Sequence, residues 1–280
     1  MDYGMTEKPS TMEPIFTLQD AQESARTPMH LTPAAPARTM WPRNPKVSCV
    51  IPALNEERNI GWVLERLPEV VDEVILVDGD STDDTVAVSV EARPDLRIVG
   101  QDRRGKGAAL RAGFDAARGD VVVMIDADRS MDPLEIQRFL DRIDEGYDLV
   151  KGSRFMAGAG TTDMEPIRKW GNGVLRNMVN TLFGADFTDL CYGYIAFRRD
   201  VLERLALQTD GFEIETEIIV RALNTGLRIA EVPSFEAPRA HGESNLRTWR
   251  DGRRVASTLL RHRFSRRAGR PATLELQPEA

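Results

Sequence analysis

The chain has two cysteines, Cys49 and Cys191, and three histidines among its 280 residues. That excludes a disulfide scaffold and a Cys/His zinc cluster. Aromatic residues make up 6%, so a core has to be built from aliphatic side chains. Long apolar runs are also missing. Val121–Ile125 is among the longest, far short of the roughly 20 residues of a membrane-spanning helix. The opening, Met1-Asp2-Tyr3-Gly4-Met5-Thr6-Glu7-Lys8, has no basic start and no apolar stretch, so no secretory signal is expected and the expected location is the cytoplasm. A net charge of −7 lacks the positive excess of a general nucleic-acid binder.

What is present fits a soluble globular protein of one domain or a fused pair: 41% hydrophobic and 29% charged residues. The charge is unevenly placed. Residues 246–270 hold nine arginines and one acid, Asp251, so an acidic body carries a basic end that suits an anionic partner surface. Seven of the sixteen prolines fall in residues 1–45, without an apolar period, and that segment is expected to be disordered. The folded domain is expected over 46–245, a basic amphipathic helix over 246–270, and a disordered tail over 271–280.

From Lys46 onward, strand and helix signals alternate. Val47–Ile51, Glu73–Val77, Leu96–Val99 and Val121–Ile125 are short apolar runs suited to buried strands. Between them, Ile60, Val63, Leu64 and Leu67 recur at helical spacing, Ser81–Asp84 offers caps for a helix to about Ala92, and Gly105–Arg118 and a segment opened by Pro133 complete the series. This order predicts an α/β fold with a largely parallel sheet. Ligands bind such sheets beyond the C-terminal strand ends. The loops at Pro52–Glu56, Asp78–Ser81 and Asp126–Ser130 should therefore share one rim.

Those loops are acidic. Asp126-Ala127-Asp128 places two carboxylates at a strand exit, where both reach one hard cation, Mg²⁺ or Mn²⁺. Turn or helix-cap chemistry is the competing reading for Asp78, Asp128 and Asp132. Arg103-Arg104-Gly105-Lys106-Gly107 is a basic loop entering a helix. It is either a phosphate cradle made of backbone N–H groups or a solvated turn, and it lacks P-loop spacing.

Together these motifs resemble family 2 glycosyltransferases, most nearly the polyprenyl-phosphate sugar synthases. The resemblance runs over residues 47–246. It includes Val50-Ile51-Pro52-Ala53-Leu54-Asn55-Glu56-Glu57, Val77-Asp78-Gly79-Asp80-Ser81-Thr82-Asp83-Asp84-Thr85, Gly105-Lys106-Gly107-Ala108-Ala109 and Asp126-Ala127-Asp128. Further on come Lys151-Gly152-Ser153-Arg154-Phe155, Asp189-Leu190-Cys191-Tyr192-Gly193-Tyr194 and Arg239-Ala240-His241-Gly242-Glu243-Ser244-Asn245-Leu246. It implies a GT-A (Rossmann-like) nucleotide-sugar-binding domain and inverting transfer of a sugar from a GDP- or UDP-sugar. Pro52, Leu54, Glu56, Leu76, Asp78, Lys106, Asp126, Ala127, Asp128 and Arg239 would bind the donor, with Asp126 and Asp128 on the metal. Arg154, Arg168 and Asn172 would hold the acceptor phosphate. Three departures stand out. Asn245 replaces a lysine, Gly79-Asp80 inverts the usual Asp-Gly order, and Ser130 stands where a glutamine is frequent.

The implied acceptor is a polyprenyl phosphate, and the basic amphipathic segment Leu246, Trp249, Ala256, Leu259, Leu260, Phe264 would lie on an anionic membrane at its inner face. A second reading of that stripe packs it on the domain. A hydroxyl acceptor would need a general base, for which Asp189, Glu213, Glu215 and Glu217 are the candidates. The competing functions are a transferase with a soluble hydroxyl acceptor, a sugar-1-phosphate nucleotidyltransferase and a degenerate nucleotide-binding scaffold. The glycine-free loop Pro52–Glu57 counts against the nucleotidyltransferase.

Overall fold

The computed structural model describes residues 41–162, 164–242 and 248–268. Strands β1 (Val47–Ala53), β2 (Glu73–Asp78), β3 (Arg97–Gly100), β4 (Val121–Met124), β5 (Leu149–Ser153), β7 (Ile195–Arg198) and β8 (Ile229–Pro233) form one seven-stranded sheet of order β3-β2-β1-β4-β7-β5-β8. A two-residue pair, β6 (Gly160–Thr161) with β9 (Phe235–Glu236), lies apart. The helices are α1 (Ile60–Glu65), α2 (Thr85–Ala92), α3 (Lys106–Ala116), α4 (Ile136–Asp144), α5 (Pro166–Phe183), α6 (Leu202–Leu205), α7 (Ile214–Asn224) and α8 (Thr248–Ala268).

The four strands and four helices expected over 47–144 are all present, within a few residues of the expected ends. Of the seven strands in the main sheet, only β7 runs against its neighbours: it is antiparallel to both β4 and β5. The other six strands therefore end on one rim, and the segment entering β7 lies on that rim too.

Alternation along the strands builds two cores. Cys49 and Ile51 of β1, with Leu76, Val121 and Val123, pack under Ile60 and Leu64 of α1 and Phe139 and Ile143 of α4. Val50, with Ile75, Val77, Val122 and Phe197, packs under Leu110 and Phe114 of α3 and Ile214 and Ile218 of α7. Burial of each such aliphatic side chain is worth about 1.5–3 kcal/mol.

The C-terminal helix joins the second core through buried Val255 and Leu259, while Trp249, Leu260 and Phe264 stay exposed. Part of its stripe is thus packed and part faces outward. Residues 1–40 and 269–280, which hold most of the Pro-rich segment and the whole tail, lie outside the described residues, as do Ser244, Asn245 and Leu246.

Candidate active site

A cleft of about 720 Å³ opens on the rim. Its lining starts at Pro52 near the end of β1 and Leu54 and Glu56 after it, Gly79 after β2 and Gln101 after β3. It crosses Asp126–Asp128 after β4 and ends against Arg168, Asn172 and Leu175 of α5 and Gly252 and Val255 of α8. The C-terminal helix is therefore a wall of the cleft, although the sequence sets it apart from the domain.

Three cations in the cleft are each clamped between two carboxylates. Lys106 Nζ lies 2.7 Å from Asp126 Oδ1 and 2.8 Å from Glu215 Oε1. Arg239 reaches Glu56 Oε1 at 2.6 Å and Asp128 Oδ2 at 2.8 Å. Arg154 holds Asp189 with Nε at 2.7 Å and NH2 at 3.0 Å, and turns NH1 to both oxygens of Glu236 at 3.0 and 3.1 Å. Burial disfavours the Lys106 ammonium, but Asp126 and Glu215 outweigh it and hold its pKa above the ordinary value. Burial pushes the Asp126 carboxyl up to about 6; Lys106 opposes this, and Asp128 and Glu215 add to it.

Of the two readings left open for the glycine-rich entry to α3, the structure does not form the phosphate cradle. The N–H groups of Gly107 and Ala108 donate to the Asp210 carbonyl at 2.8 and 3.3 Å. A Cβ at Gly105 or Gly107 would collide with backbone atoms of residues 209–211. These glycines let that segment close over the helix N-terminus, and the helix end is spent on a carbonyl. What reaches the cleft is the Lys106 side chain. Gly193 makes room for the same cluster, since a Cβ there would stand 2.5 Å from Glu215 Oε1 and 3.1 Å from Lys106 Nζ.

The acidic turns are held in place locally. Ser130 donates its N–H and its hydroxyl to Asp128 Oδ1 at 3.0 and 2.6 Å, which fixes that carboxylate. Asp132 caps the turn at Pro133–Glu135 by accepting from Leu134 N–H. The inverted Gly79-Asp80 pair keeps a tight turn because Asp80 itself adopts φ 63°, a left-handed conformation that Asp tolerates better than most residues.

The structure brings together Pro52, Leu54, Glu56, Lys106, Asp126, Ala127, Asp128, Arg154, Arg168, Asn172, Glu215 and Arg239 around the cleft. It does not bring Leu76, Asp78, Asp189 or Glu217 to the lining. Leu76 is core. Asp78 turns Oδ2 to Ser81 N–H at 3.2 Å, while Oδ1 is buried without a hydrogen bond. Glu217 is filled by Gln208 N–H, Thr209 N–H, the Thr209 hydroxyl and Arg221, so it holds the 208–209 turn. Asp189 is fully buried behind Arg154. Burial opposes its ionisation, but Lys151 and Arg154 prevail and hold it below the usual carboxylate range. A buried, strongly ionised carboxylate of this kind is a poor general base. Asn172 accepts the N–H groups of Leu190 and Cys191 at 3.3 and 3.0 Å, and so shapes the wall.

Sequence reasoning missed Glu236 and the pair behind Asp189. Glu231 accepts Thr188 N–H, the Thr188 hydroxyl and Asp189 N–H at 2.8, 2.9 and 3.2 Å. Lys151, its register partner on β5, is fully buried. A lysine and a glutamate inside otherwise apolar strands were the available signal.

The cleft's chemistry suits a divalent cation. Among the described residues, seven acids line it (Glu56, Asp126, Asp128, Glu165, Glu215, Glu236, Asp251) against four cations (Lys106, Arg154, Arg168, Arg239). Asp126 and Asp128 offer hard oxygen donors at its centre. Among the described residues no three His, Cys, Asp or Glu side chains converge as a metal cage.

The model of "Glycosyl transferase family 2" matches residues 48–206. A polyprenol monophosphomannose synthase of Mycolicibacterium smegmatis is 36% identical over 214 residues, covering 70% of this chain and 79% of that protein. A dolichyl-phosphate hexose transferase of Haloferax volcanii is 32% identical over 218 residues, covering 77% and 92%. The crystal structure of glucosyl-3-phosphoglycerate synthase from Mycobacterium tuberculosis with Mn²⁺, uridine diphosphate and glucosyl-3-phosphoglycerate superposes with a TM-score of 0.64 and 25% identity, covering 90% of this chain and 86% of that one.

Proposed function

The chain belongs to glycosyl transferase family 2, and we propose that it is a metal-dependent, inverting hexosyltransferase that moves a sugar from a nucleotide-sugar to a polyprenyl phosphate. The observation that carries this reading is the charge pattern of the cleft. Three cations stand where phosphates would lie, each already held by carboxylates, and the lining acids outnumber the cations among the described residues. A bare diphosphate would be repelled by that excess, and a diphosphate carrying a divalent cation would not.

In this reading the nucleoside occupies the end lined by Pro52, Leu54, Glu56 and Gly79. Asp126 and Asp128 hold Mg²⁺ or Mn²⁺. A cation held there would offset the negative charge that develops on the leaving diphosphate. Lys106 and Arg239 are placed to exchange a carboxylate for a phosphate oxygen, a charge-assisted contact. The acceptor lies towards Arg168 and Asn172 and attacks the anomeric carbon from the face opposite the leaving group, which inverts its configuration.

A phosphate acceptor needs no general base, because its second pKa is near 6 and it is ionised at neutral pH. This fits the fate of the sequence-derived base candidates. Asp189 and Glu217 are off the cleft, and Glu215 is paired with Lys106. For a hydroxyl acceptor these three are not placed to serve as the base.

The surface beside the acceptor end supports a lipid. Ile167, Trp170 and Val174 of α5 and Trp249, Leu260 and Phe264 of α8 are exposed, with Arg168, Lys169, Arg250, Arg253 and Arg261 on the same two helices. No helix among the described residues is long and apolar enough to cross a membrane. We place the protein peripherally on an anionic bilayer through these faces, bound to phosphatidylglycerol vesicles and released by salt.

The test is transfer itself. The full chain is incubated with Mn²⁺, GDP- and UDP-hexoses and a polyprenyl phosphate in detergent. Formation of a sugar–lipid phosphate with inverted anomeric configuration by NMR is expected. Transfer to a hydroxyl acceptor alone, lost in Glu215→Gln, would overturn the reading.

A further inference from the structure

Arg154 is held unequally on its two sides. On the inner side, Asp189 takes Nε, NH2 and the Arg154 backbone N–H. Asp189 is fully buried, with the Lys151 charge near it and Glu231 gripping its N–H. That side is fixed. On the outer side, NH1 meets Glu236, whose side chain is 13% exposed and lines the cleft, while the Arg154 side chain is 3% exposed.

The Glu236 backbone is anchored on its own account. Its carbonyl accepts from Thr162 N–H, and the residue bridges to Met131. Its carboxylate also has a second partner, the Thr161 hydroxyl at 2.6 Å. The carboxylate thus has a partner besides Arg154, and its backbone is held without the ion pair.

We propose that Glu236 is an acceptor-selecting residue, a displaceable stand-in for the acceptor's anionic group. Its carboxylate covers the cleft-facing edge of Arg154 and yields only to a group of greater charge. A phosphate monoester carries about −1.5 to −2 at neutral pH and outcompetes a carboxylate for the guanidinium. A sulfate ester or phosphodiester, with a single charge, does not. The selection acts on charge rather than size, and it deepens the proposed function, on which it rests.

The experiment uses the full chain and calorimetry in two stages. Mn²⁺ with UDP and with GDP is titrated first; absence of metal-dependent nucleotide binding in the wild type would sink the proposed function itself. The protein saturated with Mn²⁺ and the nucleotide that binds is then titrated with geranyl phosphate, geranyl sulfate and geraniol. Wild type should bind the phosphate and discriminate strongly against the sulfate. In Glu236→Gln, which removes the competing charge, the phosphate should bind about tenfold tighter, on the order of one close charge–charge repulsion in a polar site, and the gap to the sulfate should narrow. Glu236→Ala should move both in the same direction, and a circular-dichroism melt certifies the fold of both variants. An intact fold with phosphate affinity unchanged or weakened in both variants would overturn the proposal. So would a wild type that binds sulfate as well as phosphate, or neither.

Discussion

Asp189→Asn separates two roles that a carboxylate beside a cleft can have. If Asp189 is the buried partner of Arg154, the substitution leaves a guanidinium, 3% exposed at its side chain, with Glu236 alone. It also strips the nearby buried Lys151 of one compensating charge. Breaking a buried ion pair from one side costs about 3–5 kcal/mol. For a domain of this size each kcal/mol moves Tm by roughly 2–4 °C, so a fall of about 6–20 °C is expected at pH 7 by circular dichroism. The pH dependence has a sign. Lys151 and Arg154 hold the folded carboxyl below its ordinary 3.8 despite burial. Its stabilisation is thus present above that ordinary value and is lost as pH falls through the lower, folded one. The gap in Tm between wild type and variant should be constant from about pH 5 to 8 and shrink in stronger acid. A variant with wild-type Tm and abolished turnover would refute the reasoning and return Asp189 to the reaction.

The remaining predictions concern the Lys106 and Glu217 clusters. Gly193→Ala pushes on the flexible end of Glu215 rather than on backbone, so Tm should hold while metal-dependent nucleotide binding weakens about tenfold or more, the scale of one charged hydrogen bond; calorimetry on the variant reads the binding, and a parallel melt reads the stability. Glu217→Gln breaks the grip on Gln208, Thr209 and Arg221, so Tm should fall with KM and kcat at low temperature unchanged; a selective loss of kcat would contradict its position off the cleft.

What the sequence makes legible, and what it hides, follows physical lines. Apolar runs separated by helical spacing reveal the strand–helix order, because each buried strand of a parallel sheet must be apolar on both faces. The Asp126-Ala127-Asp128 exit is legible because its position follows from β4. The antiparallel β7 is not, since Ile195–Arg198 has no local mark of direction. Gly105 and Gly107 suggest a phosphate cradle, but their reason lies a hundred residues away, at Asp210. Asp189 looks like a reacting group because sequence shows a carboxylate and a glycine but not depth. Glu236 has no motif around it, and strand pairings distant in sequence, β9 with β6 and β8 with β5, set it beside Arg154. The amphipathic end of the chain is visible as a stripe, but which half packs and which faces outward depends on α5 and α7.

The central claim is that the cleft takes a nucleotide diphosphate only together with a divalent cation. Calorimetric titration of the full chain with UDP and GDP, with and without Mn²⁺, on wild type and Asp128→Asn, tests it most directly. The account predicts binding of one nucleotide that needs the metal and disappears in the variant. Nucleotide binding of equal strength without metal, or retained in Asp128→Asn, would contradict it.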